Sequence, residues 1–178
     1  MNAPGSGPAQ LHAPLILTAA FDKPSFERFQ TLRRAHFPAE RNIVPAHLTL
    51  FHALPASEAA SVANRCRLVT RGEPPIEARV TGLFNLGKGV AYRIEAPLLA
   101  RLRAELADAW APLLTQQDRA GFHPHVTIMN KAEPAAAKAL LAQMQPLFAP
   151  WSFTLIGLDL WRYLGGPWEA AGSFRFRA

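Results

Sequence analysis

The chain has little with which to build a covalently or metal-stapled scaffold. One cysteine, Cys66, in 178 residues excludes an intramolecular disulfide and a C-x-x-C metal site, and a lone thiol fits a reducing compartment. Charge is sparse: 18% of residues are charged, below the roughly 25% of ordinary soluble domains. Acidic residues are the scarcer kind, 13 against 19 basic, for a net charge of +6. No long hydrophobic run occurs. The first apolar stretch, Leu15 to Phe21, has strand length and falls far short of the roughly 20 residues needed to cross a bilayer. The opening MNAPGSGPAQ contains neither Lys nor Arg, so it lacks the charged start of a secretory signal. These absences predict a cytoplasmic protein with no membrane association, in which residues 1–12 form a flexible leader.

What is present is enough for a sizeable core, with 49% hydrophobic residues in a length that suits one domain or two small lobes. That composition excludes a disordered, collagen-like or coiled-coil chain. The basic balance favours anionic partners such as phosphates or RNA. Fifteen of the 19 basic residues are Arg, whose fork grips phosphate oxygens with two parallel hydrogen bonds. They are scattered rather than gathered in a stripe, as composition bias alone would also scatter them. Without heptads or a large amphipathic seam, a monomer is the default.

The chain also states its architecture twice. A strand over Leu15 to Phe21 leads into a helix near Asp22 and Pro24, with Phe26, Phe29, Leu32 and Phe37 at helical spacing. Then come a strand over Ala46 to Phe51, an Ala-rich helix to about Val69, a strand over Ile76 to Leu86 and a Gly87-Lys88-Gly89 turn. The second half repeats the order. A strand over Val90 to Glu95 enters, through Pro97, a helix striped by Leu98, Leu102, Leu106, Trp110 and Leu113, which Pro112 kinks in its last turn. His125 to Met129 reads as a strand, Glu133-Pro134 opens a helix, and Phe153 to Trp161 forms a strand. A Gly165-Gly166-Pro167 turn precedes a last strand over Ser173 to Arg177. Gly82 in VTGL and Gly157 in LIGL fall at matching places, 75 residues apart. The pattern predicts an α+β fold of two pseudo-symmetric lobes, with halves of about 14–88 and 89–178. Each lobe would be a mainly antiparallel sheet with helices on its outer face, and a cleft would lie between them.

The repeat duplicates one tripeptide, His47-Leu48-Thr49 and His125-Val126-Thr127, 78 residues apart. Six His and eight Thr in this length predict roughly 0.3 H-x-T strings by chance, so a matched pair in the same slot of a repeat is a signal. On a strand, side chains i and i+2 share a face, so each imidazole has a hydroxyl beside it while Leu48 and Val126 point into the core. Facing lobes would bring both couples into one cleft. That set suits attack at phosphorus. One imidazole takes a proton from the attacking oxygen while the other gives one to the departing oxygen, and two Thr hydroxyls, stiff at χ1, donate to the non-bridging oxygens. Near-symmetric halves offer the same groups twice, so sequence does not assign acid and base.

In the strings PAHLTLF and FHPHVTIMNK the chain resembles the two-histidine phosphoesterase superfamily, in its 2′-5′ RNA ligase-like and RNA 2′,3′-cyclic phosphodiesterase branch. The resemblance runs from the Leu15 strand to the final Phe174-Arg175-Phe176 strand. It implies a two-lobed fold, His47 and His125 as the catalytic pair, Thr49 and Thr127 holding the phosphate, and hydrolysis of cyclic phosphate ends of RNA or small nucleotides without cofactor or metal.

Further candidates follow from position. Phe51 and Met129, each four residues after a motif His, would face the cleft on unbroken strands and form an apolar wall against a nucleobase. Lys131 would share the face of His125 and Thr127 and reach the phosphate. Tyr92, Arg162 and Tyr163 lie on or beside strands that border the cleft. His123, His125 and His52 could suggest a metal site, but no carboxylate accompanies them at ligand spacing and Pro124 intervenes, so no metal is expected. The alternative to an enzyme is a non-catalytic RNA- or nucleotide-binding module using the same cleft.

Overall fold

The computed structural model describes residues 12–177, so the proposed leader lies outside the described residues apart from His12. In chain order the elements are β1 (Leu15–Phe21), α1 (Lys23–His36), β2 (Leu48–Leu54), α2 (Ala59–Arg71), β3 (Ile76–Asn85), β4 (Val90–Glu95), α3 (Pro97–Ala109), α4 (Gln116–Arg119), β5 (His125–Met129), α5 (Pro134–Met144), β6 (Trp151–Tyr163) and β7 (Trp168–Arg175). The class is α+β, as the alternation predicts. Local signals account for some of the ends. Asp22 caps α1 by accepting from the Ser25 N–H at 2.8 Å, and its other oxygen accepts from the Thr154 N–H at 2.9 Å, which ties the helix start to β6. Arg33, Arg34 and His36 occupy the last turn of α1, where cations suit the helix dipole. Pro112 ends α3 rather than kinking it: the helix stops at Ala109 and a single 3₁₀ turn follows.

All strands join one antiparallel sheet in the order β2-β1-β6-β3-β4-β5, with β7 also on β6. The long β6 is its spine. One edge pairs with β1, while the other pairs first with β3, through Trp151 to Leu155, and then with β7, through Gly157 to Tyr163. The two lobes therefore share a sheet, and each repeat lends its third strand to the other: β3 continues into β4, and β6 returns to β1. Reading the order from either end exchanges the halves, as a pseudo-twofold axis requires. Ala78 pairs with Phe153 at its centre, the same 75-residue offset that relates Gly82 to Gly157. Although β2 and β5 stand at opposite ends of the order, they touch, so the sheet curls into a half-barrel.

The helices pack against the sheet, and most of the core lies between them. Phe29 of α1, fully buried, lies against Phe21, Trp151, Phe153 and Tyr92, at centroid distances of 5.2, 5.1, 5.4 and 6.0 Å. Burial of such a ring contributes about 2–3 kcal/mol, and here it joins three strands from both halves. Among the described residues, no helix is long and apolar enough to cross a membrane.

Close backbone approach fixes one glycine. A Cβ on Gly89, at the start of β4, would stand 2.0 Å from the Met129 carbonyl oxygen and 2.7 Å from the Asn130 Cα. These are backbone atoms that cannot swing aside. Gly89→Ala is expected to destabilise the fold by about 2 kcal/mol or more by pushing β5 away from β4. The test is a shifted urea midpoint with unchanged slope; an unshifted midpoint would show that the two strands separate freely.

Candidate active site

His47 sits immediately before β2 and His125 opens β5. They meet in one cavity of about 150 Å³, lined also by Thr49, Thr127, His52, Ile16 and Trp168. The four residues of the duplicated tripeptide are thus together, and neither Thr hydroxyl is engaged by another group of the described residues. The two imidazoles are fixed in the same way. Nδ1 of His47 donates to the Pro45 carbonyl at 2.7 Å, and Nδ1 of His125 donates to the His123 carbonyl at 2.9 Å. A carbonyl only accepts, so Nδ1 carries the hydrogen in both rings and Nε2 is left for the cavity, as acceptor when neutral and donor when charged.

Their surroundings differ. Trp168 packs on the His47 ring at 4.7 Å and is itself packed by Trp161 at 6.0 Å, whose indole N–H donates to Thr18 Oγ1 at 2.9 Å. Burial in this corner pushes His47 down to about 4, and the Arg33, His125 and His52 charges add to it, against the raising effect of the Pro45 carbonyl. His125 instead stands edge-on to Phe84, at 5.8 Å and 82°, with the Arg93 guanidinium 5.1 Å from that phenyl ring. Arg93 is also the cross-strand partner of His125.

Arginines reach across the halves to hold the two motif strands. Arg33 of α1, only 2% exposed, donates to the Thr127 carbonyl at 2.9 Å and to Asn42 Oδ1 and the Val44 carbonyl at 3.0 Å each. One guanidinium therefore ties β5 to the segment that delivers His47. Burial pulls its acidity to about 10, so it stays cationic at neutral pH. In the reciprocal place, Arg103 of α3 donates from Nε to the Leu50 carbonyl of β2 at 3.4 Å and from its fork to the Asp118 carbonyl.

Several sequence candidates lie elsewhere. Phe51 and Met129 do not wall the cleft. Each motif strand carries a bulge directly after its Thr: Thr18 and Leu17 of β1 face Thr49 and Phe51, and Ala91 and Val90 of β4 face Thr127 and Met129. The extra residue, Leu50 in one half and Ile128 in the other, reverses the alternation. Phe51 turns into the core, edge-on to Trp110 at 5.1 Å and under the Arg103 guanidinium at 4.7 Å, and Met129 is buried too. Lys131 does not continue the strand. Beta5 ends at Met129, Lys131 takes a φ of 57°, and its exposed side chain is not part of the cavity wall. Tyr92 is the partner of Val126, so it shares that residue's core face, where it packs between Phe29 and Phe148. Arg162 pairs with Glu169 at 3.7 Å, and Tyr163 is half-exposed at the end of β6; neither lines the cavity.

Trp168 and Asp118 escape a sequence reading, and His52 enters it only as a possible metal ligand. The same bulge that buries Phe51 turns His52 into the cavity. Trp168 arrives because β7 begins directly after the Gly-Gly-Pro turn. Asp118 rides on the short α4, whose Thr115-Gln116-Gln117-Asp118 string has the spacing of a helix-start signature. Beyond His52 and His125 the cavity opens into a groove of about 830 Å³, bordered by Phe84, Arg93, Phe122 and His123. Among the described residues no cluster of three or more His, Cys, Asp or Glu is arranged to hold a metal ion.

The family model described as the 2′-5′ RNA ligase superfamily matches residues 21–167, a span that holds both tripeptides. The chain belongs to that family. Membership in this superfamily of two-histidine phosphoesterases supports phosphodiesterase-type activity in general. Solved structures share the fold: TT0787 of Thermus thermophilus at 19% identity and TM-score 0.67, over 93% of this chain and 98% of that one. E. coli LigT complexed with 3′-AMP aligns at 18% identity and TM-score 0.63, over 94% and 99% of the two chains. No curated protein matches the chain.

Proposed function

We propose that this protein is a metal-independent phosphodiesterase that opens 2′,3′-cyclic phosphate at RNA ends or on small nucleotides. The observation that carries the reading is the pair of imidazoles in one cavity, each with Nδ1 committed to a main-chain carbonyl and Nε2 free, flanked by two unengaged Thr hydroxyls. A cavity of about 150 Å³ is small beside the roughly 300–1,000 Å³ of ordinary ligand pockets. It suits a phosphate, with the rest of a nucleotide in the adjoining groove. The 3′-AMP held by E. coli LigT, a protein of the same fold, supports a nucleotide as the ligand class.

The burial of His47 supports one assignment of roles in this reading. His47, kept neutral by its burial, takes the proton from water through Nε2 as the water oxygen attacks phosphorus. The bond from phosphorus to one ribose oxygen breaks, and His125, charged, gives its Nε2 proton to that leaving oxygen. Thr49 and Thr127 donate to the non-bridging oxygens, where charge gathers in the five-coordinate transition state. Each turnover ends with His47 charged and His125 neutral, and water resets the pair.

The test is hydrolysis of 2′,3′-cyclic nucleotides and of RNA ending in a cyclic phosphate, in EDTA, followed by ³¹P NMR. The expected result is conversion to a monophosphate ester at an undiminished rate in chelator. Salt-sensitive binding of the same ligands with no product would favour the non-catalytic binding module instead.

A further inference from the structure

His52 is a third imidazole in the cleft, and only one half supplies it. By the 78-residue offset of the two motifs its twin is Asn130, which does not line the cavity and whose side chain accepts from the Lys131 N–H at 2.8 Å. His52 lies where the small cavity opens into the groove, since it lines both, as do Thr49 and His125. Its side chain is 44% exposed, while the Asp118 side chain behind it is 1% exposed.

Asp118 fixes the ring. One carboxylate oxygen accepts from the His52 main-chain N–H at 2.8 Å and from His52 Nδ1 at 3.0 Å; the other accepts from the Ala53 N–H at 3.0 Å. Burial pushes this carboxyl up, but the bonds from His52 and Ala53 outweigh it and hold the group below its ordinary value, hence ionised. Arg103 donates to the Asp118 main-chain oxygen, and its charge acts on the carboxylate alongside the His52 contact. With Nδ1 engaged, Nε2 is the nitrogen left for the cavity. The arrangement aims Nε2 into the cavity from a ring backed by a carboxylate; that nitrogen donates in the protonated ring, where it can give a charge-assisted hydrogen bond.

We propose that His52, oriented by Asp118, is a phosphate-binding residue of this cleft, donating from Nε2 to a non-bridging oxygen of the substrate on the groove side of Thr49. The proposal rests on the cleft being a phosphate site and adds to it the group that places the phosphate between the two motif histidines. The probe is inorganic phosphate, titrated by calorimetry at one fixed pH into wild type, His52→Gln, Asp118→Asn and the double variant, with thermal melts alongside. His52→Gln is expected to weaken phosphate binding about tenfold or more and to lower the melting temperature less than Asp118→Asn does, because both main-chain N–H groups still bond the carboxylate. Asp118→Asn weakens binding in the same direction and lowers the melting temperature, since it backs two main-chain N–H groups. The double variant binds no more weakly than His52→Gln alone, as two residues acting as a unit require. With a cyclic nucleotide, the loss falls on KM more than on kcat. Equal phosphate affinity in His52→Gln and wild type, or additive losses in the double variant, would overturn the role of His52. If wild type bound phosphate through His52 yet hydrolysed no cyclic phosphate, the hydrolase reading would fail and this one would stand.

Discussion

His47→Ala and His125→Ala are each expected to lower kcat/KM for a 2′,3′-cyclic nucleotide by about 10²–10⁴-fold, the usual worth of a positioned acid or base. The double variant is expected to be little worse than either single one, because an acid without its base completes no proton circuit. Neither change removes a large buried apolar surface, so circular dichroism should match wild type. An unaltered rate in either variant would sink the two-imidazole mechanism. The roles also predict the pH profile. In the proposed mechanism His47 is a base only when neutral, and burial holds it to about 4, so the rate is expected to rise with pH through an acid limb near 4 rather than near 6.5. Stability follows the same group. Unfolded, His47 takes up a proton below about 6.5; folded, it resists until about 4. The native state is therefore at full stability above that window and loses it as pH falls from 6.5 to 4. His47→Ala should flatten this loss, and urea unfolding at several pH values would read it directly.

Arg33→Ala is expected to be strongly destabilising, costing about 3 kcal/mol or more at roughly 1–3 kcal/mol for each buried acceptor left unsatisfied. It leaves the Thr127 and Val44 carbonyls and Asn42 Oδ1 without their donor and opens a hole under the Phe37 ring, which the guanidinium faces at 4.3 Å. Against a total stability of about 5–15 kcal/mol, such a loss leaves a marginal protein. Arg33→Lys keeps the charge but not the fork, since one ammonium on a flexible stem does not match three fixed acceptors, so it should recover little. The readout is chemical denaturation, with amide exchange at Thr127 to Met129 as a local check. A loss under about 1 kcal/mol would mean that the guanidinium merely fills space. Arg103→Ala is expected to cost less, because its longer bond to Leu50 leaves a weaker tie to lose.

The contrast between these residues explains what the sequence disclosed. His47, Thr49, His125 and Thr127 were legible because a duplicated pattern survives in the string itself, and period-two alternation is a property of any extended backbone. Phe51 and Met129 were misplaced by that same rule, since a bulge is set by how a strand pairs with its neighbour and leaves no mark in its own residues. The error is nonetheless consistent: Leu50 and Ile128 occupy the same slot in both halves, so the second bulge repeats the first. Arg33 looks in sequence like a solvated residue in the last turn of an amphipathic helix. Its burial is decided by β5, 94 residues further along. His52 and Asp118 are 66 residues apart, and no local pattern joins them.

The loan of third strands sets an order on how this protein can come into being. Beta1 ends at Phe21 and can pair early with β2, yet the neighbour on its other edge does not begin until Trp151, so a nascent chain must leave that apolar edge open until nearly all of it has left the ribosome. Pairings this remote close slowly and lie open to mispairing meanwhile. Cutting the gene between its two repeats would accordingly yield not two half-enzymes but two fragments, each holding the other's missing strand and able to form a catalytic centre only by reassembly.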